Sequence, residues 1–170
     1  QWGIIKLYPC HKTYAAQPQK YNTLFYFKED KAMIQIIAGK KGSGKTKRLI
    51  AQTNEAVNVK HGSILFIDDD KDYLYDVRHQ VRFVDASEYG INDPDMFYGF
   101  ICGIAAQDFD LDTIFVDAFL RIVNAKMEDL EDFFKSLEKI LEVHKIDMVL
   151  SVSADPATLP DYAKAWVQEA

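Results

Sequence analysis

Residues 33–49 read MIQIIAGKKGSGKTKRL, and the fold follows from how this stretch divides. Met33, Ile34, Ile36, Ile37 and Ala38 form a nearly continuous apolar run, as in a central parallel strand covered on both faces. Gly39, Lys40, Lys41, Gly42, Ser43, Gly44, Lys45 and Thr46 then match G-x-x-x-x-G-K-[ST] at every fixed position. Leu49, Ile50, Ala56 and Val57 continue at helical spacing, and Gly62 closes the helix. A strand before the glycine-rich loop and a helix after it are the context that this pattern requires.

The loop has the chemistry of a phosphate cradle. A polyphosphate is a cluster of anionic oxygen acceptors, held best by backbone N–H groups converging from a tight loop onto a helix N-terminus. Glycines at 39, 42 and 44 permit positive φ and a close approach of the backbone. Lys45 is placed to reach the β- and γ-phosphates, Thr46 to offer its hydroxyl to Mg²⁺, and Lys47 stands with them in the first helical turn.

Composition bounds the remaining possibilities. The 170 residues, 48% hydrophobic, fit one domain with a sizeable core. A net charge of −6 argues against broad nucleic-acid binding, which calls for a basic surface, though a local basic patch stays open. Cys10 and Cys102 lack metal-ligand spacing, so reduced thiols in a cytoplasmic protein are expected. No apolar run approaches a membrane span, and no segment has the pattern of a signal peptide.

Residues 1–32 stand apart. Five lysines and two acids give them +3, whereas fifteen basic and twenty-four acidic residues give 33–170 a net of −9. Met33 coincides with the first residue of the strand that enters the loop. The expected organisation is therefore an N-terminal extension over 1–32, non-native or loosely attached, and a nucleotide-binding domain over 33–170. Leu24, Phe25, Tyr26 and Phe27 could supply a short edge strand to that extension.

Downstream, SILFI (63–67) gives a second buried strand that ends in Asp68, Asp69 and Asp70. Acids at a strand's C-terminal tip reach the ligand edge of an open α/β sheet, but Asp is also a common turn residue, and a solvated turn is the preferred reading. Residues 73–80 read as helical or irregular, and VRFV (81–84) as a short strand closed by Asp85. Asn92, Asp93 and Pro94 start a helix in which Phe97, Phe100, Ile101, Ile104 and Ala105 form a core-facing stripe, with Cys102 expected to be a small buried thiol. Thr113, Ile114, Phe115, Val116 and Asp117 are another apolar strand ending in an acid. Residues 127–144 carry an amphipathic helical pattern, 148–152 a further strand, and 155–167 a last helix anchored to the sheet by Trp166.

These motifs resemble the small P-loop NTPases, with Walker A at Gly39 to Thr46 and Walker B at Thr113 to Asp117. The likeness covers Met33 to about Val167. More narrowly, MIQIIAGKKGSGKTKRLI, EYGIND with FYGFI, IFVDAFLRI and SVSADP are similar to short bacterial ATP-binding proteins, some of them labelled twitching-motility ATPases. The acidic and histidine boxes of pilus retraction ATPases have no counterpart in the sequence. The resemblance implies a three-layer α/β fold with a mostly parallel sheet of about five strands and helices on both faces. It also implies ATP and Mg²⁺ as cofactors, Thr46 and Asp117 at the metal, and a γ-phosphate sensor at Ser153 or Ser151, of which Ser153 is nearer the strand tip.

Three activities fit this pattern. The first is a Mg²⁺-dependent ATPase, slow or stimulated by a partner or by a homo-oligomer that supplies Arg121, Arg78 or Arg82 as a transition-state cation. The second is a nucleotide-binding regulator without significant hydrolysis, favoured because Asp117 is followed by Ala118 where a water-activating glutamate is common. The third is a small-molecule or nucleotide kinase, although no arginine-rich lid and no zinc-binding cysteine pairs are present. Neither N-K-x-D nor D-x-x-G occurs, which favours ATP over GTP. The strand order, which separates RecA-like from kinase-like arrangements, stays open at this point.

Overall fold

The computed structural model describes residues 34–168. The expectations for 1–32, for Cys10 and for Met33 fall outside them. Five strands are described: β1 (Ile34–Ala38), β2 (Ser63–Asp68), β3 (Arg82–Asp85), β4 (Leu111–Val116) and β5 (Asp147–Val152). Between and after them run α1 (Lys45–Val59), α2 (Pro94–Gln107), α3 (Phe119–Ile122), α4 (Glu131–His144) and α5 (Asp161–Lys164). All strand pairs are parallel, in the spatial order β1-β5-β4-β2-β3. Thus β5 separates the strand that enters the glycine-rich loop from the strand that ends before Asp117, which is the RecA-like order.

Alternation along the strands divides the core into the two interfaces of a three-layer fold. Ile37, Phe66, Phe115 and Val149 point to one face, where α1 covers them with Leu49 and Ala56. Ile36, Ile67, Val116 and Leu150 point to the other, where α2, α3 and α4 contribute Phe97, Ile101, Phe119, Phe134 and Leu137. The aromatic stripe of α2 is core, as its spacing indicates: Phe97 is fully buried and meets Phe119 edge-on at a centroid distance of 5.6 Å. Asp93 caps α2, accepting from the Met96 N–H at 2.8 Å, and Pro94 occupies its first turn.

Several elements depart from the sequence reading. The helix expected over 127–144 is broken at Leu130: Met127–Asp129 form a 3₁₀ turn and α4 begins at Glu131. The tighter turn aligns Met127 and Leu130, three residues apart, so that both are buried. The last helix is only α5. Beyond it the chain pairs with the open edge of β1, where the Ile36 N–H donates to the Trp166 carbonyl at 2.7 Å and the Gln168 N–H to the Ile36 carbonyl at 2.9 Å. An edge strand's unpaired backbone groups take a partner that a continued helix could not supply. The Trp166 ring packs on Phe134 of α4, at a centroid distance of 5.2 Å, so its side-chain anchor is this helix. Cys102 is half-buried, and residues 73–80 contain turns without a regular helix.

Candidate functional site

Parallel strands bring their C-terminal tips to one edge, and a cavity of about 970 Å³ opens there. One wall is the glycine-rich loop and the start of α1, with Gly42, Gly44, Lys45 and Thr46. Asp68, Asp70, Asp117 and Arg121 stand on the other side, with Ser151 and Ser153 beside them.

The start of α1 is built for an anion. Gly42 and Gly44 sit at φ 82° and 86°, in the left-handed region where any side chain is strained. Gly44 is the N-cap, no side chain caps the helix, and its first turn holds no acid. Lys45, Lys47 and Arg48 occupy that turn instead, at the end where the helix dipole favours negative charge. Lys45 is buried, and its Nζ donates to the Lys40 carbonyl at 3.0 Å, curled back onto the loop. Lys40 is exposed and lies 3.7 Å from Asp155. The Gly39 N–H donates to the Val152 carbonyl at 3.2 Å, and the Ser43 N–H to the Lys40 carbonyl at 3.1 Å; both bonds shape the loop. Lys41 and Lys47 line the cavity, whereas Gly39, Lys40 and Ser43 do not.

The opposite wall corrects the reading of residues 68–70 as a solvated turn. Asp68 is only 1% exposed. Its Oδ1 accepts the Asp69 N–H at 2.8 Å, and its Oδ2 is buried without a hydrogen-bond partner. Burial, with the charges of Asp117 and Asp70, pushes the Asp68 carboxyl up to about 8 despite the bond from Asp69. Asp69 is ion-paired with Arg121, and Asp70 Oδ1 accepts the Asp72 N–H at 2.9 Å. The only sequence signal was a weak one: Asp68 ends a continuous run that is buried from Ile64 onward.

Asp117 is itself buried, and its N–H donates to the Ile67 carbonyl at 2.9 Å, so Asp68 and Asp117 cap adjacent strands. Ala118 follows at φ 51°, a left-handed conformation uncommon for alanine and the N-cap of α3. Ser151 is buried and Ser153 exposed, both on the cavity. Asp85 lies outside it: its carboxylate accepts the Ser87 N–H at 2.9 Å and caps the following 3₁₀ turn. Arg121 lines the cavity, but Arg78 and Arg82 do not; Arg78 donates to Asn58 Oδ1 at 2.8 Å. The oxygen donors of Thr46, Asp117 and Asp68 suit a hard divalent cation, and the orphaned Asp68 Oδ2 is the atom that such an ion would satisfy.

No family model matches the chain, and no curated protein does. Among solved structures, the replication initiator DnaA bound to AMPPCP and single-stranded DNA is similar at 18% identity and a TM-score of 0.44. The likeness covers 78% of this chain and 37% of that one, so the chain spans little more than a third of its length. A similarity of this size speaks to neither ligand nor partner. Among the described residues, no helix is long and apolar enough to cross a membrane.

Proposed function

We propose that the chain binds ATP with Mg²⁺ at residues 39–47 and hydrolyses it slowly, or on stimulation by a protein partner or a second copy. The observation that carries this reading is the start of α1: an uncapped helix with cations in its first turn and left-handed glycines before it, facing the cavity. Without an anion that arrangement is unfavourable, and with a polyphosphate every part of it is used.

In this reading the first-turn N–H groups and Lys45 take the phosphate oxygens, with Lys45 leaving the Lys40 carbonyl to do so. Thr46 and Asp117 hold Mg²⁺, which would neutralise charge on the phosphates. Ser153, or the more buried Ser151, stands where a hydroxyl could report the γ-phosphate. Arg121 is on the same cavity but is occupied by Asp69, consistent with low activity until that pair opens. Residues 1–32 are proposed to be dispensable for binding, and their deletion should leave ATP affinity unchanged.

The second reading, a regulator that binds without significant hydrolysis, is favoured by Ala118, which puts a methyl group where a carboxylate could activate water. The β1-β5-β4 order counts against the kinase alternative. Calorimetric titration with ATP, ADP and GTP in Mg²⁺, followed by phosphate release, separates the readings. Binding with slow release supports the ATPase; binding with none supports the regulator. Asp117→Asn should lower Mg²⁺-dependent turnover at least tenfold while changing ATP affinity less, and equal turnover would remove Asp117 from the metal site.

A further inference from the structure

With Thr46 and Asp117 taken as the ligands of nucleotide-borne Mg²⁺, Asp68 is given no role of its own. It closes β2 at the tip of a rigid parallel sheet, almost wholly buried, with one oxygen bonded to the next backbone N–H and the other to nothing. Buried carboxylate oxygens are nearly always partnered, because water is lost and must be replaced. Three further carboxylates share its surroundings. Asp117 caps the adjacent strand, and oxygens of Asp69 and Asp70 lie within 4.8 Å of one from Asp68. Asp68, Asp70 and Asp117 line the cavity. Arg121, the nearby cation on that wall, is turned onto Asp69.

We propose that Asp68 Oδ2 is a direct ligand of a divalent cation, Mg²⁺ or Mn²⁺, held with Asp70 beside the tip of β4, and that this site loads before any nucleotide arrives. The inference deepens the reading of the same cavity but does not depend on ATP binding there. Oxygen-only donors select hard divalent ions. The oxygens of Asp68 and Asp70 already lie within 4.8 Å of each other, so they need no phosphate oxygen to bring them together. A cation there would partner the orphaned oxygen and offset the negative charges around it.

The test is titration of the full chain with Mn²⁺ in the absence of nucleotide, followed by loss of the free-ion electron paramagnetic resonance signal. Uptake of one Mn²⁺ per chain is expected. Asp68→Asn should weaken it at least tenfold, Asp70→Asn several-fold, and Asp95→Asn, an exposed acid on α2, should leave it unchanged. Far-UV circular dichroism checks that Asp68→Asn is folded; if it is not, Asp70→Asn decides, with weakened uptake in support and unchanged uptake against. Equal uptake by wild type and Asp68→Asn would overturn the proposal. So would uptake by wild type only when ATP is present, a result that leaves the nucleotide reading standing. Uptake without any ATP binding would do the reverse.

Discussion

The two edges of the sheet treat buried charge in opposite ways. At the N-terminal edge, Lys60 follows α1 and places its Nζ 2.8 Å from Asp112 on β4 and 2.9 Å from Asp147 on β5. Every member of that cluster has a partner. Burial pulls the Lys60 ammonium down, yet its bonds to Asp112 and Asp147 outweigh this and hold it above its ordinary value. At the C-terminal edge Asp68 keeps an oxygen without a partner, Asp117 is buried on the adjacent strand tip, and Lys45 and Lys47 of α1 line the same cavity. The same residue types serve stability at one edge and are left open to a ligand at the other.

The comparison can be tested edge by edge. The largest effect on stability belongs to Lys60→Ala, which strands two acids and should cost about 2 kcal/mol, below the range for a fully buried pair because water reaches this one. Urea denaturation measures it, and a loss under a few tenths would dissolve the contrast. Because the folded-state value of Lys60 is raised, its contribution is complete below 10.5 and fades as pH climbs through the folded value. Melting curves between pH 9 and about 12 follow that loss, which Lys60→Ala should lack.

A smaller gain is expected from relieving strain. Ala118→Gly removes a left-handed alanine at the cavity, and Lys145→Gly removes a left-handed lysine at the C-cap of α4. Each should stabilise by about 0.5–1 kcal/mol in the same denaturation assay. Only the first should also alter Mg²⁺-dependent turnover, since Lys145 is far along the chain from the site. The smallest change is expected for Asp68→Asn without divalent ions: no destabilisation beyond about 0.5 kcal/mol, since the amide oxygen can still accept the Asp69 N–H and Oδ2 has no partner to lose. A large loss would mean that Asp68 is partnered after all.

Much of this was legible because periodicity and pattern carry local structure. Residues 34–49 specified strand, loop and helix, and the apolar runs ending at Asp68, Asp117 and Val152 specified strands whose tips share an edge. Strand order was not legible, since it depends on which strand pairs with which, not on any one segment. The state of Asp68 was hidden for a related reason: three successive acids look like a solvated turn, and only the neighbouring strand shows that the first of them is enclosed. The C-terminal segment was misread because its conformation answers to the open edge of β1, more than a hundred residues away in sequence. Breaking of the 127–144 helix at Leu130 likewise reflects packing on the sheet, which overrides an amphipathic pattern.

The central claim is that the C-terminal edge, and α1 above all, is a polyphosphate site. Calorimetric titration of Mg²⁺–ATP into wild type and Lys45→Ala tests it most directly. Wild type should bind one ATP per chain, and Lys45→Ala, still folded by circular dichroism, should bind at least tenfold more weakly. Wild-type protein that binds no nucleotide, or a variant that binds as tightly as wild type, would contradict it.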